Sequence, residues 1–372
     1  MGSYLVVTVG TSLLQGMRRG KGTNDGLPSR QDALAVLNGE GRTSRACGAE
    51  VNSLALLLEG QELSVGVLKP PFRVHLLVSD TPEGEWSGEV LTSHIGGWED
   101  VTEATYEMID GLDGRDPKRF AHRGLRALVK AAARCLMEAR RRDPQVQCVI
   151  NATGGYKAQI SLTGLLGQAL KVPVVYLFEQ FAQCIELPPM PVDFDRSLWI
   201  ENYSLFRALA EETIVPQSQL DRLDPDVRLR PLLDTEQVDG QTLYALSPVL
   251  ELMHQTFECS PPARAEQPPD SDVPIAQRLH LNMAEMPHAP KDSLQRAQQL
   301  ARLSPVTRVE NLRFVNTGRS FVKASGTVPL DEFRVVCGDG AMGLELRVLT
   351  TCQTVNHRDW LLEELRRLVA GW

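Results

Sequence analysis

Short continuous apolar runs at residues 4–9, 146–150 and 172–178 read as buried strands, each closed by turn residues. Between the second and third lies 158–170, whose apolar positions recur at the spacing of a helix packed on a sheet. Residues 120–142 follow the same rule, with Leu125, Leu128, Val129, Ala132 and Leu136 on one stripe. That helix stops at Arg140-Arg141-Arg142 before Asp143-Pro144. The arginine run fits a solvated helix C-terminus, where cations face the carbonyl end of the dipole, better than an RNA patch. Strand, helix and strand in this order predict a parallel α/β sheet over residues 1–198. Residues 16–48, rich in Gly, Arg and Ser, read as loop or insertion around a helix.

The polar turns closing two of these strands carry the candidate chemistry. Residues 146–150 run into Asn151-Ala152-Thr153-Gly154-Gly155-Tyr156-Lys157, and 158–170 leaves it as a helix. Glycines there let backbone approach a ligand, first-turn N–H groups point outward, and Lys157 adds a point charge. Glycine also serves helix–strand packing, so the turn alone is weak evidence of a site. Residues 4–9 end in a second small, hydroxyl-rich turn, Gly10-Thr11-Ser12. On neighbouring parallel strands the two turns would form one polar crevice at a topological switch point.

Val9-Gly10-Thr11-Ser12 and the Asn151 to Lys157 turn together resemble the signature of CARF domains, the Rossmann-like sensors of type III CRISPR effectors. The likeness spans roughly the first half of the chain. It implies a homodimer with a two-fold pocket for a cyclic oligoadenylate, tetra-adenylate being the expected ring. Gly10, Thr11, Ser12, Asn151, Thr153, Gly154, Gly155, Tyr156 and Lys157 would bind that activator. A third strand end, Leu76-Leu77-Val78-Ser79-Asp80-Thr81-Pro82, fits the same pocket and would add Ser79, Asp80 and Thr81.

Beyond residue 198 the pattern changes. Residues 204–212 and 216–223 read as short helices, 237–246 as a hairpin turning at Asp239-Gly240, and 249–257 as a closing helix. Helices followed by a hairpin wing resemble a winged helix-turn-helix over 199–259, yet acidic residues dominate the segment, which favours a protein–protein connector over DNA. Paired prolines and scant apolar content mark 260–274 as an extended linker. The remaining module, 275–372, reads as a helix at 291–303 and strands at 309–315 (continuing near 320–324), 332–337 and 344–352. Gly338-Asp339-Gly340 turns between the last two strands, and 358–368 is a final helix.

Composition changes this picture in three ways. With 42% hydrophobic residues among 372, the chain can bury the cores of two or three domains. It has no apolar run of membrane-spanning length and no signal-peptide pattern, so a soluble, cytoplasmic chain without membrane partners is expected. Its seven cysteines are scattered without a C-x-x-C pair, which points to neither zinc nor a disulfide framework. The net charge of −8 conceals an asymmetry: from Lys291 to Arg358 ten Lys/Arg stand against six Asp/Glu. Only this module has the balance expected of a polyanion binder.

A basic module with a helix before an antiparallel sheet resembles the RelE family of ribosome-dependent mRNA interferases. Phe321-Val322-Lys323 with Glu332-Phe333-Arg334-Val335-Val336 resembles that family's lysine-bearing strand and the strand after it. Val355-Asn356-His357-Arg358 resembles the end of its last strand. The likeness implies metal-independent cleavage of mRNA, on the ribosome, by attack of the substrate's own 2′-hydroxyl. Arg334 and Arg358 would clamp phosphate, Arg319 would assist, and Lys323 or His357 would move protons. No cofactor or metal is implied. The chain departs from the family in having no tyrosine beyond Tyr244, so the C-terminal catalytic phenol of many members is missing. Arg–His pairs at the spacing of HEPN ribonucleases occur only at Arg115 and His122, interrupted by Asp116-Pro117. Neither Lys291 nor Lys323 follows an acid at the spacing of restriction-type nucleases. Two other functions stay open: a ligand-responsive transcription regulator, and a ring nuclease degrading the messenger in the pocket with help from Thr11, Ser12 or Lys157.

Overall fold

The computed structural model describes the chain except residues 1, 22–25, 179–180, 189, 191–193, 213, 224, 260–266, 283–288, 291 and 324–328. Parts of the expected linker and of the expected strand end at 320–324 fall among those exceptions. Contacts divide the chain into two units, Met1–Phe194 with Ser204–Ser260, and Asp195–Tyr203 with Pro261–Trp372. The 199–259 segment is therefore split: its first residues cluster with the C-terminal module and the remainder with the N-terminal one.

The first unit is built on a six-stranded sheet of β1 (Ser3–Thr8), β2 (Phe72–Ser79), β3 (Val101–Ile109), β4 (Gln147–Asn151), β5 (Val174–Tyr176) and β6 (Ile185–Glu186). Its spatial order is β3-β2-β1-β4-β5-β6, parallel throughout except for the antiparallel β6. Helices α1 (Ser12–Lys21), α2 (Arg30–Gly39), α3 (Ala49–Leu58) and α4 (Pro82–Ile95) cover one face. They meet Leu5, Val7 and Val74 in one core. Helices α5 (Leu125–Arg142) and α6 (Lys157–Leu170) cover the other, over Val6, Leu77 and Ile150. Successive strand residues thus feed opposite cores, which is why β1 reads as a continuous apolar run. The 16–48 region, expected as loop around a helix, supplies most of two helices, α1 and α2. A π-turn, Phe120–Gly124, leads into α5.

From Ser204 onward the unit adds α7 (Tyr203–Glu212), β7 (Val215–Pro216), α8 (Gln217–Leu223), β8 (Leu233–Val238), β9 (Gln241–Leu246) and α9 (Pro248–Cys259). The hairpin turns at Asp239 (φ 51°) and Gly240 (φ 76°), the paired left-handed conformation that an Asp-Gly turn is suited to. Leu252 of α9 is fully buried in the core formed by α5, α6 and the sheet.

The second unit pairs a five-stranded sheet with α10 (Ser293–Ala301) and α11 (Val355–Ala370). Its strands are β10 (Leu279–His280), β11 (Val306–Val315), β12 (Phe321–Lys323), β13 (Glu332–Gly338) and β14 (Gly343–Thr350), in the order β10-β11-β14-β13-β12. All neighbours are antiparallel except β10 with β11. Phe333, Val335, Cys337, Leu344, Leu346 and Val348 are buried on one face, while Arg334, Arg347 and Glu345 alternate with them on the other.

Candidate functional site

The order β3-β2-β1-β4-β5-β6 reverses direction between β1 and β4, and both expected turns lie there, at the C-terminal ends of those two strands. α1 and α6 begin in the same place, so two helix N-termini converge on one crevice. The turns are locked together by hydrogen bonds. Thr8 Oγ1 donates to the Gly154 carbonyl (2.6 Å). Buried Asn151 donates through Nδ2 to Ser53 Oγ (2.7 Å), and its Oδ1 accepts from Thr153 Oγ1 (2.6 Å). Thr153 Oγ1 in turn accepts the Leu177 N–H (3.0 Å).

The glycines are explained by the protein itself before any ligand is considered. A Cβ on Gly10 would stand 2.6 Å from the Gly155 nitrogen. One on Gly154 would stand 2.2 Å from Glu50 Oε1 and 2.8 Å from the Gly10 nitrogen. Backbone therefore approaches backbone at these positions, where sequence reasoning expected it to approach a ligand. Gly155 is needed for its left-handed φ of 101°. What faces solvent is Thr11, Gly155, Tyr156 and Lys157. The Tyr156 ring packs edge-on against Phe120 (4.8 Å), and its hydroxyl accepts the Gly114 N–H (3.2 Å). The Lys157 ammonium has no protein partner among the described residues.

Glu50, in the first turn of α3, was not foreseen. It is 1% exposed, and it accepts the Gly10 N–H at Oε1 (2.8 Å) and the Ser12 hydroxyl at Oε2 (2.5 Å). Ser12 Oγ also accepts the Ala49 N–H (3.0 Å). The only signal in the sequence was an acid near a helix start, which the helix dipole accounts for without a site.

The third expected segment has structural work of its own. Thr81 caps α4 by accepting the Gly84 N–H (3.0 Å), and Ser79 and Thr81 share a hydroxyl–hydroxyl bond (2.9 Å). Asp80 accepts the Gly111 N–H (3.0 Å) and pairs with Arg119 (2.9 Å), which also binds Asp110 (2.8 Å). One group of potential metal donors, His75, Glu107 and Cys135, lies within 4.8 Å in the described residues. Its members are already engaged, with Arg134 on Glu107 (2.5 Å) and Thr105 Oγ1 on His75 Nδ1 (2.8 Å). Those bonds make the trio a network of protein contacts, and burial raises the Cys135 thiol to about 11.

In the second unit two of the candidate catalytic residues, His357 and Arg358, are drawn into the interior. The string 355–358, expected at a strand end, opens α11, because Thr354 caps the helix by accepting the His357 N–H (3.1 Å). His357 is buried, and its Nδ1 accepts the Gln353 N–H (3.3 Å). Arg358 is buried too, donating to the carbonyls of Pro329 (3.1 Å) and Glu332 (2.9 Å) and lying 4.7 Å over the Phe333 ring. Neither is placed to clamp phosphate. Arg334 stays on the polar sheet face opposite Lys323, whose side chain lies outside what is described. It pairs with Glu332 (2.5 Å), which Arg347 also holds (2.7 Å). Burial opposes ionisation of Glu332, but the Arg347 hydrogen bond and the two guanidinium charges outweigh it and keep the carboxyl below its ordinary range. Arg319 is exposed and lines a cleft of about 830 Å³ with Arg296, Ser320, Asp339 and Trp372.

Residues 45–190 match the family model described as CRISPR-associated protein (Cas_APE2256). No curated protein matches the chain. Among solved structures the chain is similar to Enterococcus italicus Csm6 bound to cyclic hexa-2′-fluoro-hexa-dAMP, at 10% identity and a TM-score of 0.30. That likeness covers 57% of this chain and 50% of that one, so it spans about half the length of the Csm6 chain. No described helix is long and apolar enough to cross a membrane.

Proposed function

We propose that the first unit senses a cyclic oligoadenylate and that the second is an RNA-cleaving effector, with the chain acting as a homodimer in CRISPR-linked defence. The observation that carries the sensor half is the meeting of the Gly10–Ser12 and Asn151–Lys157 turns at the switch point of a 3-2-1-4-5-6 sheet, the second turn lying within the segment that matches a CRISPR-associated family. The α6 N-terminus and the unpartnered Lys157 beside it suit a phosphate group, and a two-fold dimer would offer that arrangement twice to a ligand carrying several. The ligand acts only through its differential affinity for two arrangements of the dimer.

For the effector half the support is the basic balance of the second unit and its helix-then-antiparallel-sheet order. The proposal is a RelE-like mRNA interferase acting on the ribosome without metal. Lys323 on the edge strand β12, Arg334 opposite it on β13 and Arg319 just before β12 are its candidates, and His357 and Arg358 maintain the fold. DNA has no part in it, since Asp234, Glu236 and Asp239 line the hairpin that would meet a duplex.

Translating ribosomes and mRNA mixed with the full chain, with and without cyclic tetra-adenylate, test both halves. Cleavage should require the ring and fall at least tenfold in Arg334→Ala. Cleavage that ignores the ring refutes the switch, and cleavage that survives the substitution refutes the site.

A further inference from the structure

The two sides of the crevice differ in charge, and the difference is built from below. On the β1–α1 side, two donors that could receive a phosphate, the Gly10 N–H and the Ser12 hydroxyl, are both given to the Glu50 carboxylate. The Ala49 N–H is likewise given to Ser12 Oγ. Glu50 is 1% exposed, so solvent scarcely screens its charge. On the α6 side, Lys157 is exposed and unpartnered, and the Lys157 and Ala158 N–H groups have no acceptor among the described residues.

We propose that Glu50 is the specificity-determining residue of the pocket. It sets an internal anion beneath the β1–α1 turn, so that this turn receives a hydrogen-bond-donating part of the ligand and phosphate is received at α6. This rests on the sensor reading above. The donor on a cyclic oligoadenylate is either the adenine amine or the ribose 2′-hydroxyl, and the β1–α1 turn meets it with oxygen atoms backed by negative charge. A phosphate seated there would face that charge at short range in a poorly screened site. Glu50→Gln keeps the size and an acceptor for the Gly10 N–H while removing the charge. It should tighten cyclic tetra-adenylate by roughly tenfold and steepen the dependence of log Kd on log salt, because more of the ring's phosphate charge is then welcomed.

Calorimetric titration of the full chain decides the matter with three probes: cyclic tetra-adenylate, its purine-riboside analogue with hydrogen in place of the amine, and its 2′-fluoro analogue lacking the hydroxyl donor. With the wild-type chain, at least one donor-less ring should bind more than tenfold more weakly, and that penalty should shrink in Glu50→Gln. The ring that loses affinity identifies the donor. If Glu50→Gln melts at the wild-type temperature and binds cyclic tetra-adenylate no tighter, the assignment is overturned while the sensor reading stands. If that variant does not fold, the wild-type chain decides alone, and both analogues binding within threefold of the parent overturn the assignment. A wild-type chain that binds none of the rings overturns the sensor reading and this one with it.

Discussion

At the level of single residues, the glycines of the crevice have a structural reason of their own. Gly154 is required because Glu50 Oε1, the Thr8 carbonyl and the Gly10 nitrogen occupy the space of its missing Cβ, at 2.2, 2.7 and 2.8 Å. Two of those three atoms are backbone, which cannot swing aside. Gly154→Ala should therefore lower stability by about 2 kcal/mol in urea unfolding, with no ligand present. Lys157→Ala should leave the unfolding midpoint where it is and weaken cyclic oligoadenylate binding about tenfold in a titration. The positions of the two turns were legible because glycine and hydroxyl residues punctuate strand ends. The role of Glu50 was not, because a carboxylate that bridges elements 40 residues apart leaves no mark on local pattern. Arg358 shows the opposite error. Its charge and its place in a family-like string pointed to phosphate, whereas its guanidinium serves buried carbonyls.

At the level of elements, the apolar runs and the hairpin turn follow the pattern, while the Gly- and Arg-rich 16–48 stretch hides most of two helices and the start of α11 resembles a strand end. The Asp239-Gly240 turn could be read directly because few residue pairs tolerate two left-handed conformations in succession. The start of α11 could not, since a single capping hydroxyl, Thr354, decides between strand end and helix. Helix α9 carries a consequence for acid stability. Burial, and then the Lys130 ammonium, push His254 down to about 4. Between its ordinary value near 6.5 and that value, the unfolded chain takes up a proton that the folded one refuses. Stability should thus fall as pH drops from about 6.5 to about 4, by at most about 3 kcal/mol. Burial raises Glu251, so that residue keeps its proton to higher pH when folded and works in the opposite sense. His254→Gln should flatten the acid limb of a stability–pH curve, and Glu251→Gln should steepen it.

At the level of the whole molecule, the two units divide labour between a fold that gathers charge at a crevice and a fold that spreads it over a sheet. Ion pairs tie Arg334, Arg347 and Arg313 to Glu332, Glu310 and Glu345, so the acids of the second unit's sheet are consumed in place and the basic excess is carried by other side chains. Arg358→Ala should lower the stability of that unit by about 3 kcal/mol, read as a shifted unfolding midpoint, because several carbonyls lose a charged donor. Arg334→Ala should change that midpoint by less than about 1 kcal/mol, because Arg347 still holds the Glu332 carboxylate. The contact between Gly10 and Gly154 has one more consequence, for how the chain can change over time. Both partners already carry the smallest residue there is, so neither can give up atoms to accommodate growth in the other. A lineage that loses either glycine has no single compensating truncation within the joint itself. The two turns must be inherited together, as one part rather than two.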